Sequence, residues 1–177
     1  MIKINYLYIF VLLIFPNIIY ASKISVVNID LLIENNDSYI EVIKNLEKSQ
    51  EVHLRDFNNI EIKLQKMLND IESSKLILSE EENNNAIFDY NQELATFNEL
   101  IDKFNNHYQN QLIIIKNKIL KEIIKLLEQY AVDQNIELIL DSTSYLIASN
   151  ALDITDIINI ELNKLKIDLN FEEFENN

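Results

Sequence analysis

From Ile43 onward the apolar positions recur at alternating steps of three and four: Ile43, Leu46, Gln50, His53, Phe57, Ile60, Leu64, Met67, Ile71, Ser74 and Leu78, eight of the eleven apolar. That period keeps a narrow stripe on one side of a helix, as suits pairing along its length with another helix rather than lying on a broad core. Ser79-Glu80-Glu81-Glu82 then has the form of a capping box, so the spacing predicts a turn near Ser73 to Ser79 and a new helix after it. The second helix repeats the stripe with Ile87, Tyr90, Leu94, Phe97, Ile101, Phe104 and Tyr108. Two stripes of matching length on either side of a short tip predict an antiparallel helical hairpin, an arm of about 60 Å at the usual rise per residue.

The flanks of this arm have a different texture. Lys23 to Asp30 (KISVVNID) is β-branched and apolar on both faces, the pattern of a buried strand over 23–29. Asp30 is a candidate cap for a short turn over Leu31 to Glu34, and Asn35-Asn36-Asp37 breaks the pattern before Ser38 and Glu41 offer a capping box for the long helix. Beyond Gln111 the apolar residues spread around the helix (Leu112 to Ile115, Ile119, Leu120, Ile123, Ile124, Leu126, Leu127), which predicts that this end enters a folded body. Asn135 is expected to end it in the left-handed conformation. Strands are predicted over 136–141 (IELILD) and 145–149 (YLIAS) as a hairpin, followed by a helix capped by Asp153 or Thr155. The acidic tail, 170–177, is expected to fray.

Three strands are too few to close a core, so the body is expected to complete itself by oligomerising. The residues expected at that interface are Ile24, Val26, Val27, Ile29, Leu138, Leu140, Tyr145 and Ile147.

Composition fits this plan. The chain has no Gly, and its one Pro is Pro16, so the tight corners that many short strands need are hard to make and long helices are favoured. It has no Cys, which excludes disulfides and a lipidated N-terminus. Lys3 followed by an apolar run from Tyr6 to Phe15 reads as a signal peptide over 1–21, cleaved after Ala21, so the protein is expected to be exported. The formal charge of -14 becomes -15 when Lys3 is removed (-14 minus +1). Such an acidic chain disfavours nucleic acid and direct binding to anionic lipid.

Candidate chemistry is sparse. His53 and His107 lie on opposite helices of the arm, but no His-x3-His pair or cysteine completes a metal set, and they read as packed or solvated imidazoles. Asp141, Asp153 and Asp156 sit near strand and helix ends, where caps and turn formers outweigh cation binding or acid–base work. Asn36-Asp37-Ser38 matches a glycosylation triplet to which no function is assigned. No catalytic, metal or cofactor site is expected. The apolar residues off the stripe, Ile62, Leu68, Leu76, Ile77, Phe88 and Leu100, either thicken the packing of a slightly irregular hairpin or offer many weak nondirectional apolar contacts to a partner of no fixed shape.

The order of strand, long hairpin, strand pair and short helix resembles the Skp/OmpH family of periplasmic chaperones over nearly the whole mature chain. The match is most specific in Tyr130-Ala131, Ile136 to Asp141, Tyr145 to Ser149 and Ala151 to Asp156, with Val26 to Asp30 similar to the family's first strand. The resemblance implies a mainly α protein with a small β body over 22–36 and 112–169 and a coiled-coil arm over 37–111. It implies a periplasmic homotrimer whose strands share a central barrel, without enzymatic activity, its arms enclosing unfolded outer-membrane proteins and preventing their aggregation without ATP. For such a holdase, the six apolar residues off the stripe are the candidates for client contact. The chain departs from the family in carrying Asn135 where a glycine is common, and an acidic chain where the arms are usually basic. Without the resemblance, the same heptads would serve a structural coiled-coil spacer or exported surface protein, and the C-terminal aspartates an exported metal-dependent hydrolase.

Overall fold

A computed structural model of the protein describes residues 22–175. The signal peptide expected over 1–21 lies outside the described residues. Strand β1 (Ile24–Val27) leads into helix α1 (Ile29–Glu34), then α2 (Asp37–Ser74) and α3 (Glu80–Gln134). Strand β2 (Leu138–Asp141), 3-10 turns at Ser142–Ser144 and Asn150–Leu152, and helix α4 (Thr155–Lys164) complete the order.

Helices α2 and α3 form the hairpin. The stripe residues Leu46, Phe57 and Leu64 of α2 meet Phe97, Phe104 and Tyr108 of α3 in one buried cluster. Its spine is aromatic: Phe57 packs edge-on against Phe97 (ring centroids 6.0 Å apart) and Phe104 (4.9 Å), and Phe104 against Tyr108 (4.8 Å). Edge-to-face packing adds to the area such rings bury. The Tyr108 hydroxyl, carried into this apolar seam, is paired with Ser49 Oγ at 2.7 Å. At the tip, Glu82 Oε2 accepts from the Ser79 N–H at 2.9 Å while Ser79 Oγ accepts from the Glu82 N–H at 3.3 Å, completing the expected capping box. The stripe departs from expectation at its ends: Val42 is buried at the base where Ile43 is half-buried, and beside the tip Leu78 and Ile87 are exposed while Ala86 is half-buried.

The body forms around the other half of α3. Ile119 and Ile123 are fully buried against Val27, Leu32 and Ile33 from the N-terminal segment and Ile154, Ile158 and Leu162 from the C-terminal one. Asn135 closes α3 at φ 53 and ψ 45, with the Ile136 N–H returning to the Ala131 carbonyl at 2.8 Å. This is the left-handed cap expected of an Asn that stands in for Gly.

Two expected caps are displaced by two residues each. Asn28, not Asp30, caps α1, its side chain accepting from the Leu31 N–H at 3.0 Å. Asn36, not Ser38, caps α2, accepting from the Tyr39 N–H at 3.0 Å. Asn ranks with Asp and Ser as a cap, and here each wins because it sits at the residue where the chain leaves an extended conformation.

The sheet corrects the expected topology. β2 does not form a hairpin with 145–149; it pairs parallel with β1 in the register Ile24 to Leu138 through Val27 to Asp141. On the far side of β1, Val26 bridges Asp153, and the Ile154 N–H donates to the Val26 carbonyl at 3.0 Å. β1 is thus flanked on both edges, which accounts for the burial of Ser25, Val26 and Val27. The segment 145–149 is left without a strand partner in the chain and stays irregular, Leu146 and Ile147 being 101% and 92% exposed. Period-2 patterning marks a strand's faces, whereas a strand also needs an edge to pair with.

The tail is the other correction. Residues 169–174 do not fray but lie on the hairpin, with Phe174 buried in the arm's cluster and Leu169 and Phe171 packed against it. Two phenylalanines among the acidic residues give this segment apolar area to bury, which its charge alone conceals.

Candidate functional site

Among the described residues, the surfaces with capacity for function are the arm, the body's open face and the joint between them. The joint is held by asparagines. Asn36 is 1% exposed. Its Nδ2 donates to Asn163 Oδ1 on α4 at 3.0 Å, and that same oxygen accepts from the Asp37 N–H at 3.1 Å. Asn163 Nδ2 in turn reaches the Asn35 carbonyl at 3.3 Å and Asn159 Oδ1 at 3.2 Å. Every polar atom of the Asn36 amide side is therefore occupied where the arm leaves the body, as burial demands. A side chain so enclosed is no acceptor for a glycan.

The C-terminal aspartates are structural. Asp141 Oδ1 accepts from the Ile29 N–H at 3.1 Å, and Oδ2 accepts from the Thr143 hydroxyl and N–H. Burial acts to raise the Asp141 pKa, yet the hydroxyl of Thr143 and the backbone N–H groups of Ile29, Thr143 and Ser142 hold the carboxyl below its ordinary value. Asp153 Oδ1 accepts from the Thr155 N–H at 2.8 Å, and Asp156 lies in the first turn of α4, where an acidic group suits the helix dipole. Among the described residues no group of three or more His, Asp or Glu side chains is placed to hold a metal ion. His53 and His107 both pack edge-on with the Phe174 ring, at centroid distances of 5.4 and 5.6 Å.

The six candidate client-contact residues divide into two sets. Leu76 and Ile77 stand at the arm's tip, 97% and 83% exposed, and Ile62 and Phe88 are exposed farther along its flanks. Leu68 and Leu100 are half-buried, and Leu100 packs against the hairpin's cluster. Of the eight candidate interface residues, Ile24, Leu138 and Ile147 are exposed, and Ile29, Leu140 and Tyr145 are half-buried. Val26 and Val27 are buried within the chain itself. The body half of α3 adds residues that sequence reasoning passed over: Ile113, Ile114, Ile124 and Val132 remain exposed, because the chain covers only the stripe through Ile115, Ile119 and Ile123. The spread of apolar residues around this helix is the available signal: it predicts entry into a folded body, of which one chain covers a single stripe.

Among the described residues no helix is long and apolar enough to cross a membrane. No curated protein matches the sequence. The fold is similar to an OmpH-like protein of Caulobacter crescentus CB15, put forward as an outer membrane chaperone. The two share 11% identity with a TM-score of 0.72, over 88% of this chain and 93% of that one. The family described as outer membrane protein (OmpH-like) matches residues 23–162, which take in the whole arm and all of the body's strands. The chain therefore belongs to the OmpH-like family.

Proposed function

We propose that the protein is an ATP-independent holdase chaperone of the periplasm, which binds unfolded outer-membrane proteins between its coiled-coil arms and prevents their aggregation. Family membership and the chaperone assigned to the Caulobacter fold relative support a chaperone role. The observation that carries the finer reading is the exposed tip pair, Leu76 and Ile77, with Ile62 and Phe88 on the flanks. Large apolar side chains on a projecting arm cost solubility unless they meet an apolar partner, and unfolded chains offer such surface in no fixed arrangement.

The working form is a homotrimer. Its support is the apolar surface that one chain leaves open on the body: Ile24, Leu138, Leu146 and Ile147 beside the sheet, and Ile113, Ile114, Ile124 and Val132 along α3. A strand added from a neighbouring chain would give the segment 145–149 the edge it lacks within its own. The protein acts by binding and not by catalysis.

Light-scattering mass tests this reading, measured on the mature protein alone and with a urea-denatured outer-membrane barrel protein diluted into the same buffer. A trimer that forms a discrete soluble complex with one barrel chain is the expected result. A stable oligomer that leaves the barrel protein to aggregate overturns the holdase reading in favour of a structural coiled-coil spacer.

A further inference from the structure

The tail is seated on the arm in the manner of a bound peptide. From Asn170 to Phe174 it has neither helix nor strand, and it follows one side of α3 toward the tip. Asn170 Oδ1 accepts from Lys118 Nζ at 3.0 Å. One residue, Glu172, is then gripped by both of its backbone groups: its N–H donates to Gln111 Oε1 at 3.1 Å, and its carbonyl accepts from His107 Nε2 at 2.7 Å. Phe174 follows as the anchor, its ring centroid 5.4 Å from His53, 5.5 Å from Phe104 and 5.6 Å from His107.

This division of labour favours an exchangeable ligand. The Gln111 and His107 contacts address backbone atoms that nearly every residue presents, so they accept an extended segment of almost any sequence. The socket formed by His53, Phe104 and His107 selects an aromatic ring two residues later. Backbone bonds with a side-chain pocket are a recurrent mode of peptide recognition. With the tail seated, Gln111 is buried and its Oε1 is occupied by the Glu172 N–H.

We propose that this groove is a binding site for extended, aromatic-bearing polypeptide, and that residues 169–174 are its resident occupant, displaced when an incoming segment takes their place. The competitor is an unfolded client segment, an identification that rests on the holdase reading. The tether makes the tail a strong competitor despite its few contacts, since a short flexible link supplies an effective concentration on the order of millimolar.

The test uses the full chain and a fluorescent peptide with the sequence of residues 168–177. In the variant Phe171→Ala/Phe174→Ala the groove is vacated, and the peptide is expected to bind at least about tenfold more tightly than it binds the wild type, as removal of a tethered competitor requires. A peptide with both phenylalanines replaced by Ala should bind neither protein, and adding Gln111→Ala to the vacated chain should weaken the intact peptide. Equal affinity for wild type and variant, or no binding to either, overturns the proposal. Should the variant fold poorly by circular dichroism, hydrogen exchange on the wild type decides: saturating peptide must speed exchange at the Glu172 amide, and unchanged protection overturns the proposal. Failure of wild type and variant alike to keep a denatured barrel protein soluble, with peptide competition intact, would overturn the holdase reading and leave the groove standing.

Discussion

Asn36 Nδ2 donates to Asn163 Oδ1 at 3.0 Å, joining the first turn of the arm to the last turn of the final helix. Because Asn36 is buried, removing its partner leaves a donor that water cannot reach, and Asn163→Ala also strips the Asp37 N–H of its acceptor. The substitution is expected to cost about 1–3 kcal/mol, the usual penalty for an orphaned buried polar group. A urea titration followed by circular dichroism measures it, and a midpoint equal to wild type would show that the asparagine cluster carries no stability.

Phe104 touches Phe57, Tyr108, His53 and Phe174, more rings than any other residue of the arm's spine. Phe104→Ala is expected to destabilise the hairpin by about 3–5 kcal/mol through lost burial and the cavity left behind. Tyr108→Phe removes only the bond to Ser49 and should cost about 1 kcal/mol. Comparable losses from the two would argue against a packed aromatic spine.

Asn135 supplies the left-handed cap without a glycine. Asn135→Gly should leave stability unchanged or slightly raised, since Gly meets no steric penalty at φ 53. Asn135→Val should lower it by about 1–2 kcal/mol, the cost of that conformation for a residue with a crowded Cβ. The readout is the thermal midpoint of the pair against wild type.

Asp141 links stability to acidity. Its carboxyl titrates below the ordinary value in the folded chain, so its contribution is fully present above about pH 4, the unfolded value, and is lost as pH falls through the folded one. Asp141→Asn should therefore lower the urea midpoint at pH 7 and flatten its decline as the pH falls below about 4. A decline identical to wild type would remove Asp141 from the acid response.

The arm was legible in the sequence because its information is local. A stripe of 3-4 spacing, a capping box at Ser79 and an Asn at the helix end each act on neighbours a turn or so away, and each appears where expected. The body was legible only in part. Alternation marked Leu138 to Asp141 as a strand but could not say which edge it joins, and the same alternation in 145–149 found none within the chain. The tail groove was missed because its parts, His53, Phe104, His107, Gln111 and Phe174, lie on three separate stretches. Only the two phenylalanines among the acidic residues hinted that the end of the chain had somewhere to go.

The parallel pairing of β1 with β2 imposes an order of assembly. Ile24 emerges first from synthesis and finds its partner, Leu138, only after both long helices have been made. Contacts within the hairpin close short loops near the tip and zip outward, whereas the sheet must wait for nearly the whole chain, and such distant pairings are slow to form. The arms are therefore expected to exist before the body that carries them. During that interval the protein is itself an incompletely folded chain with an unpaired, apolar first strand, the same condition proposed for its clients.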